Sequence, residues 1–290
     1  MNCEIAWQDR AEVGEGPVWD SSDGTLLWID IGNNLIQRFD PAAQTNSAVV
    51  VEQGVSAAVF AKRGGLLIAT TEGLAFANVA DGAVDVEVIT TVETSSSNRM
   101  NDGKCDPEGR FWVGSMTHDG SPASGSLYRV DPDLSVHPLL GGVGTGNGLG
   151  WSPDTATMYF IDSPTRVVRV FDYDPASGEA SDGRDMELRL PNDIATPDGL
   201  SIDTDGNLWI ALWEGSAVHC YSPEGSLLEV IEVPARRVTS CCFGGEGLAD
   251  LYITSAALDL TDAEIEATHA GSVFRARPGV AGIPVAGFAG

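Results

Sequence analysis

The sequence predicts an all-β fold, a six-bladed β-propeller formed as one domain over residues 1–290. Three observations lead there. Strand-type apolar cores recur along the chain, each core follows a short apolar strand and a tight turn, and strong helical periodicity is absent.

The cores fall at 26–30, 66–70, 110–114, 157–161, 207–211 and 250–254. Their third residues are Trp28, Ile68, Trp112, Tyr159, Trp209 and Tyr252, spaced by 40, 44, 47, 50 and 43 residues, which is the range of propeller blades. The strand before each core is clearest at 18–24 and 200–206, where Asp23-Gly24 and Asp205-Gly206 supply the positive φ that a tight hairpin needs. Third strands at 35–41, 126–132, 168–175 and 218–223 stop at a proline, and more polar fourth strands follow at 47–51 and 228–232. A helical turn is expected only within 259–269. Closing the ring requires the chain ends to meet, so Glu4–Trp7 and the segment 284–288 are expected to complete the last blade, one or both as strands.

Composition narrows the partners. A formal charge of -26 disfavours nucleic acid and anionic membrane surfaces. No apolar run approaches the ~18 residues of a membrane span, and residues 1–10 lack the basic and apolar regions of a signal peptide. Cys3, Cys105, Cys220, Cys241 and Cys242 are odd in number without paired C-x-x-C spacing, which reads as reduced thiols in a cytoplasmic protein. Monomer and dimer are both compatible with the sequence.

Blade geometry turns the repeat into a site. Each innermost strand starts at one mouth of the central channel. Counting back from the anchors, Glu15 lies 13 residues before Trp28, Asn101 11 before Trp112, Asn147 12 before Tyr159 and Asp198 11 before Trp209. Four blades thus bring an oxygen-bearing side chain to one height around one axis. Any one of these segments is an ordinary turn whose side chain caps its own backbone. Four at equivalent positions point to a shared ligand. Two carboxylates and two amides converging without a basic partner are unfavourable if buried empty, and one divalent cation, Ca²⁺, Zn²⁺, Mn²⁺, Mg²⁺ or Fe²⁺, removes the difficulty. By strand alternation Asp102 should point away from the axis.

Four motifs carry a family resemblance. Gly14-Glu15-Gly16-Pro17-Val18-Trp19, Arg99-Met100-Asn101-Asp102-Gly103-Lys104-Cys105-Asp106-Pro107, Gly146-Asn147-Gly148-Leu149-Gly150-Trp151 and Pro197-Asp198-Gly199-Leu200 resemble the signatures of the SMP-30/gluconolactonase/regucalcin family over nearly the whole chain. The resemblance implies a six-bladed propeller with one divalent metal in the central channel, held by Glu15, Asn147 and Asp198. It also implies a sugar lactone as substrate, with Arg99 and Asn101 at substrate-binding positions. The family often carries acidic residues in the loop at 117–124, where Asp119 is the nearest match and His118 is a departure; both are expected to contact substrate.

The chemistry agrees with what these residues do. A metal polarises the lactone carbonyl or activates water, and Asp198 accepts the proton as general base. Arg99 binds substrate oxygens or the developing oxyanion. Trp213 and Glu214 are candidates for a further wall. Alternatives on the same site are an esterase or organophosphate hydrolase, and a metal-binding propeller without turnover. Other motifs fail. Asp203-Thr204-Asp205-Gly206 places glycine at loop position four where an EF-hand needs six, no Gly-x-Ser-x-Gly occurs, and the glycines at 141–148 precede no helical pattern.

Overall fold

The computed structural model describes residues 3–71, 73–93, 95–118 and 124–290. They form six four-stranded antiparallel sheets, each a blade of a β-propeller. The innermost strands are Gly14–Asp20, Ala57–Phe60, Asn98–Cys105, Gly146–Trp151, Thr196–Ile202 and Arg237–Gly244. The predicted cores are the second strands, Thr25–Asp30, Leu66–Ala69, Phe111–Thr117, Thr157–Asp162, Leu208–Trp213 and Asp250–Ala256.

Burial explains why these second strands read as continuous apolar runs. Each is covered on both faces by neighbouring blades, so all six residues of Thr25–Asp30 are buried. The outermost strands are covered on one side at most, and in Glu179–Glu187 only Met186 is buried. The cores accordingly lie between blades: Ile29 and Ile36 of the first pack with Ile68 and Ala75 of the second, and Trp209 and Val218 of the fifth pack with Cys241 and Ile253 of the sixth. Trp19 stacks on Tyr252 at 5.3 Å between ring centroids, joining the first blade to the last.

The ends of the chain behave differently from each other. Glu4–Trp7 pairs with Val273–Ala276 as the outer strand of the sixth blade, beside Asp250–Ala256 and Arg237–Gly244. The segment 284–288 is not a blade strand, contrary to the expectation from sequence. The outer edge of that sheet is already taken by Glu4–Trp7. The C-terminal residues run instead under the end of the channel away from the aligned Glu15, Asn101, Asn147 and Asp198. There the Ala281 carbonyl accepts from Thr204 N of blade five, Phe288 N donates to Phe60 O of blade two, and Ala289 N donates to Gly109 O of blade three. Phe288 is fully buried and lies 6.3 Å from Phe76, so apolar burial fixes the segment there. The helical turn is Asp262–Thr268, started by a capping box between Thr261 and Glu264. No helix among the described residues is long and apolar enough to cross a membrane.

Candidate functional site

Glu15, Asn101, Asn147 and Asp198 each sit at or beside a break in the ladder. Pairing jumps from Glu15 to Val18, from Met100 to Gly103, from Gly146 to Leu149 and from Pro197 to Leu200, so two residues oppose one on the second strand. These are β-bulges, which interrupt alternation and turn a side chain that would otherwise face a neighbouring blade. Asn101, Asn147 and Asp198 are the first residues of their bulges, and Glu15 directly precedes its own. Of the glycines that follow, Gly148 has a steric reason. A Cβ on Gly148 would lie 2.6 Å from the Asp198 carbonyl oxygen, so the inner strands of blades four and five approach only because that side chain is missing.

The four residues converge on one cavity of about 510 Å³, with Arg99 and His118 also lining it. Arg99 Nη1 donates to Asn101 Oδ1 at 2.8 Å and to the Met100 carbonyl at 3.0 Å. Asn101 Nδ2 donates to Asn147 Oδ1 at 2.9 Å and to the Gly146 carbonyl at 3.0 Å. Asn147 Nδ2 donates to Ser163 Oγ at 2.8 Å, and Ser163 Oγ donates to the Pro197 carbonyl at 2.7 Å. This chain commits the Asn147 nitrogen to Ser163 and leaves the second lone pair of its oxygen, beside the one that accepts from Asn101, for the site.

The carboxylates are held differently. Glu15 and Asp198 are each 6% exposed, and each accepts a backbone N–H from the glycine that follows it. Burial, reinforced by the charge of Asp102, pushes Glu15 up to about 8. Burial and then the charges of Glu15 and Asp102 push Asp198 well above the ordinary carboxylate range. Burial lowers the proton affinity of the Arg99 guanidinium, and the Glu15 charge opposes that shift. Neither Glu15 nor Asp198 forms an ion pair among the described residues.

The donor set fits a hard or borderline divalent cation. It offers two carboxylates of matching total charge and an amide oxygen fixed by Ser163. Among the described residues no group of three or more His, Cys, Asp or Glu is placed to hold a metal ion, so the donors are mixed rather than all ionisable.

Three features differ from the sequence reading. Asp102 does not turn away: it shares the bulge with Asn101, is buried, and is close enough to raise both Glu15 and Asp198. Strand alternation fails there because the bulge inserts an extra residue. A basic partner also exists. Lys104 Nζ donates to the Leu200 carbonyl at 2.6 Å; its charge favours the ionised form of Asp102 and, after that of Arg99, the ionised form of Glu15. Its signal was its place in the Arg99–Pro107 motif. Ser163 carried no signal, because a short 3₁₀ turn after the second strand of blade four delivers it. Of the loop residues, exposed His118 lines the cavity, as does half-buried Trp213, while Asp119 lies outside the described residues. Glu214 turns from the cavity to pair with Arg236 and Arg237.

Comparison with known proteins gives consistent matches. The sequence profile of the SMP-30/gluconolactonase/LRE-like region matches residues 13–257. The chain is 35% identical over 292 residues to a Bacillus subtilis protein named for sugar lactone lactonase activity, covering 100% of this chain and 99% of that one. It is 38% identical over 296 residues to regucalcin of Danio rerio, again covering 100% and 99%. The crystal structure of an Agrobacterium tumefaciens regucalcin, described as a calcium-binding protein, superposes with a TM-score of 0.92 at 25% identity, covering 99% of this chain and 98% of that one.

Proposed function

The chain belongs to the SMP-30/gluconolactonase/LRE-like family, and on that premise we propose that it is a metal-dependent hydrolase opening a sugar lactone, an aldonolactone, to the aldonic acid. One observation carries the reading. Two buried carboxylates without ion pairs, Glu15 and Asp198, stand beside an arginine and two oriented amides in a cavity of small-molecule size.

Glu15, Asn147 and Asp198 would hold the cation, and their proton affinities fit the assignment because a bound cation replaces the protons that burial otherwise retains. Once bound, the cation supplies the positive charge that polarises an ester carbonyl and acidifies water. Asp198 is the general base. It takes a proton from water through a carboxylate oxygen as the water oxygen bonds to the lactone carbonyl carbon. The ring C–O bond then breaks and the proton passes to the departing ring oxygen, leaving a hydroxy acid. Arg99 and Asn101 bind lactone oxygens and hydroxyls, and His118 and Asp119 complete the substrate contacts from the loop of blade three.

The protein is assigned to the cytoplasm on its thiols. All five cysteines are unpaired, four are buried, and burial pushes Cys220 and Cys241 up to about 12.

The test is acid release in a pH-stat from a panel of aldonolactones, with divalent cations and with chelator. Chelator-sensitive hydrolysis is expected. No release from any lactone, with cation binding intact, would leave a binding propeller instead.

A further inference from the structure

The cavity has a polar floor and an apolar wall, and the wall follows a rule of the repeat. Ile31, Met116, Pro164, Trp213 and Leu258 all line it. Each lies at the end of the second strand of its blade or in the segment just after it, following Thr25–Asp30, Phe111–Thr117, Thr157–Asp162, Leu208–Trp213 and Asp250–Ala256 in turn. Five blades therefore each place one apolar side chain above the ring of Glu15, Asn101, Asn147 and Asp198. None of the five is fully buried, so apolar surface remains to be covered by a ligand.

Part of this wall is rigidly set. The Arg237 guanidinium lies 5.1 Å from the centre of the Trp213 ring, its Nε donates to Glu214 Oε1 at 2.9 Å, and its Nη1 donates to the Leu258 carbonyl. One side chain thus fixes two neighbouring members of the wall, which lowers the ordering cost when a ligand packs on them.

We propose that the site has a second substrate class besides sugar lactones: lactones carrying an aliphatic arm, with the ring carbonyl on the polar floor and the arm against Trp213, Leu258 and Met116. The proposal rests on the lactonase reading of the same cavity. Both classes undergo the same ring opening by water; they differ in what covers the wall.

The experiment measures kcat/KM for γ-butyrolactone, γ-valerolactone, γ-hexalactone and γ-octalactone beside gluconolactone, with calcium or zinc supplied. In the wild-type protein, kcat/KM should rise along the alkyl series by up to roughly fourfold per methylene until the wall is covered, the value expected for full apolar burial. Trp213→Ala should reduce that slope to below about twofold per methylene. Met116→Ser, on another blade, should reduce it independently, so a folding defect in one variant does not remove the test. A flat or falling wild-type series beside active hydrolysis of gluconolactone overturns the proposal and leaves the lactonase reading standing. Turnover of no lactone at all overturns both.

Discussion

Two pairs of buried carboxylates lie at opposite ends of the channel strands, and their surroundings differ sharply. At the hairpin end, Asp203 accepts from the backbone N–H groups of Asp205 and Asn207, from the Asn207 amide and from the Trp209 indole, all between 2.8 and 3.0 Å. Asp106 likewise accepts from Glu108 and Arg110 backbone N–H groups, the Arg110 guanidinium, the Trp112 indole and the Tyr173 hydroxyl. At the cavity end, Glu15 and Asp198 are nearly as deeply buried, yet each takes a backbone N–H from its following glycine and forms no ion pair among the described residues. Burial is common to both pairs. What separates a carboxylate that holds a fold from one available to a ligand is how many of its lone pairs the protein has already satisfied.

The contrast predicts opposite consequences for equivalent substitutions. The largest effect is expected for Asp198→Asn, which should lower kcat/KM on lactones by about 10²–10⁴-fold while the metal-free protein melts no earlier than wild type. Steady-state kinetics and calorimetry check it, and wild-type turnover would remove Asp198 as the base. At the other end, Asp203→Ala should cost about 3–5 kcal/mol of stability, because it strands the Trp209 indole and two backbone N–H groups. Denaturant unfolding measures this. A loss below about 1 kcal/mol would mean that water replaces the carboxylate there without penalty.

Acidity sharpens the comparison further. Glu15 binds its proton more tightly folded than unfolded, so its contribution to metal-free stability is complete below about pH 4.5 and fades as pH rises through about 8. Each pH unit inside that window removes up to about 1.4 kcal/mol. His219 acts in the opposite direction, since burial lowers its proton affinity. Subtracting Glu15→Gln from wild type cancels that contribution. The melting temperature of metal-free wild type, relative to the variant, should therefore fall from pH 5 to pH 8, and a divalent cation should reverse the trend; a relative rise without metal would contradict the burial of an uncompensated Glu15.

A smaller effect is expected at Ser163. Its removal frees the Asn147 amide nitrogen, so Ser163→Ala should weaken divalent-cation affinity by about tenfold, as loss of a group orienting a ligand does. Titration calorimetry reads it directly, and unchanged affinity would show that Asn147 needs no such support.

Much of this was legible in the sequence because propeller blades are local. Each blade is built mainly from consecutive strands joined by short turns, so apolar runs, glycine turns and proline breaks report it without knowledge of neighbours. The positions of Glu15, Asn101, Asn147 and Asp198 followed from the same count, because equivalent positions in repeated blades share a height along the axis. The assignments that failed were those requiring one blade to know about another. Asp102 was misdirected by alternation, which holds only where no bulge intervenes, and Gly148 and Gly199 answer to adjacent blades, to Asp198 and Ser240 in turn. The segment 284–288 reads as a strand by composition. Its place beneath the channel was decided by an occupied sheet edge and by the burial of Phe288.

The sequence by itself determined the six blades, their order and the ring of polar strand starts, since these rest on periodicity and chain connectivity. Only the tertiary structure decided which carboxylates keep lone pairs free, which way the Asn147 amide faces, and that five separate blades set an apolar wall above a polar floor. Those properties depend on distances between residues far apart in the chain, and such distances exist only once the ring has closed.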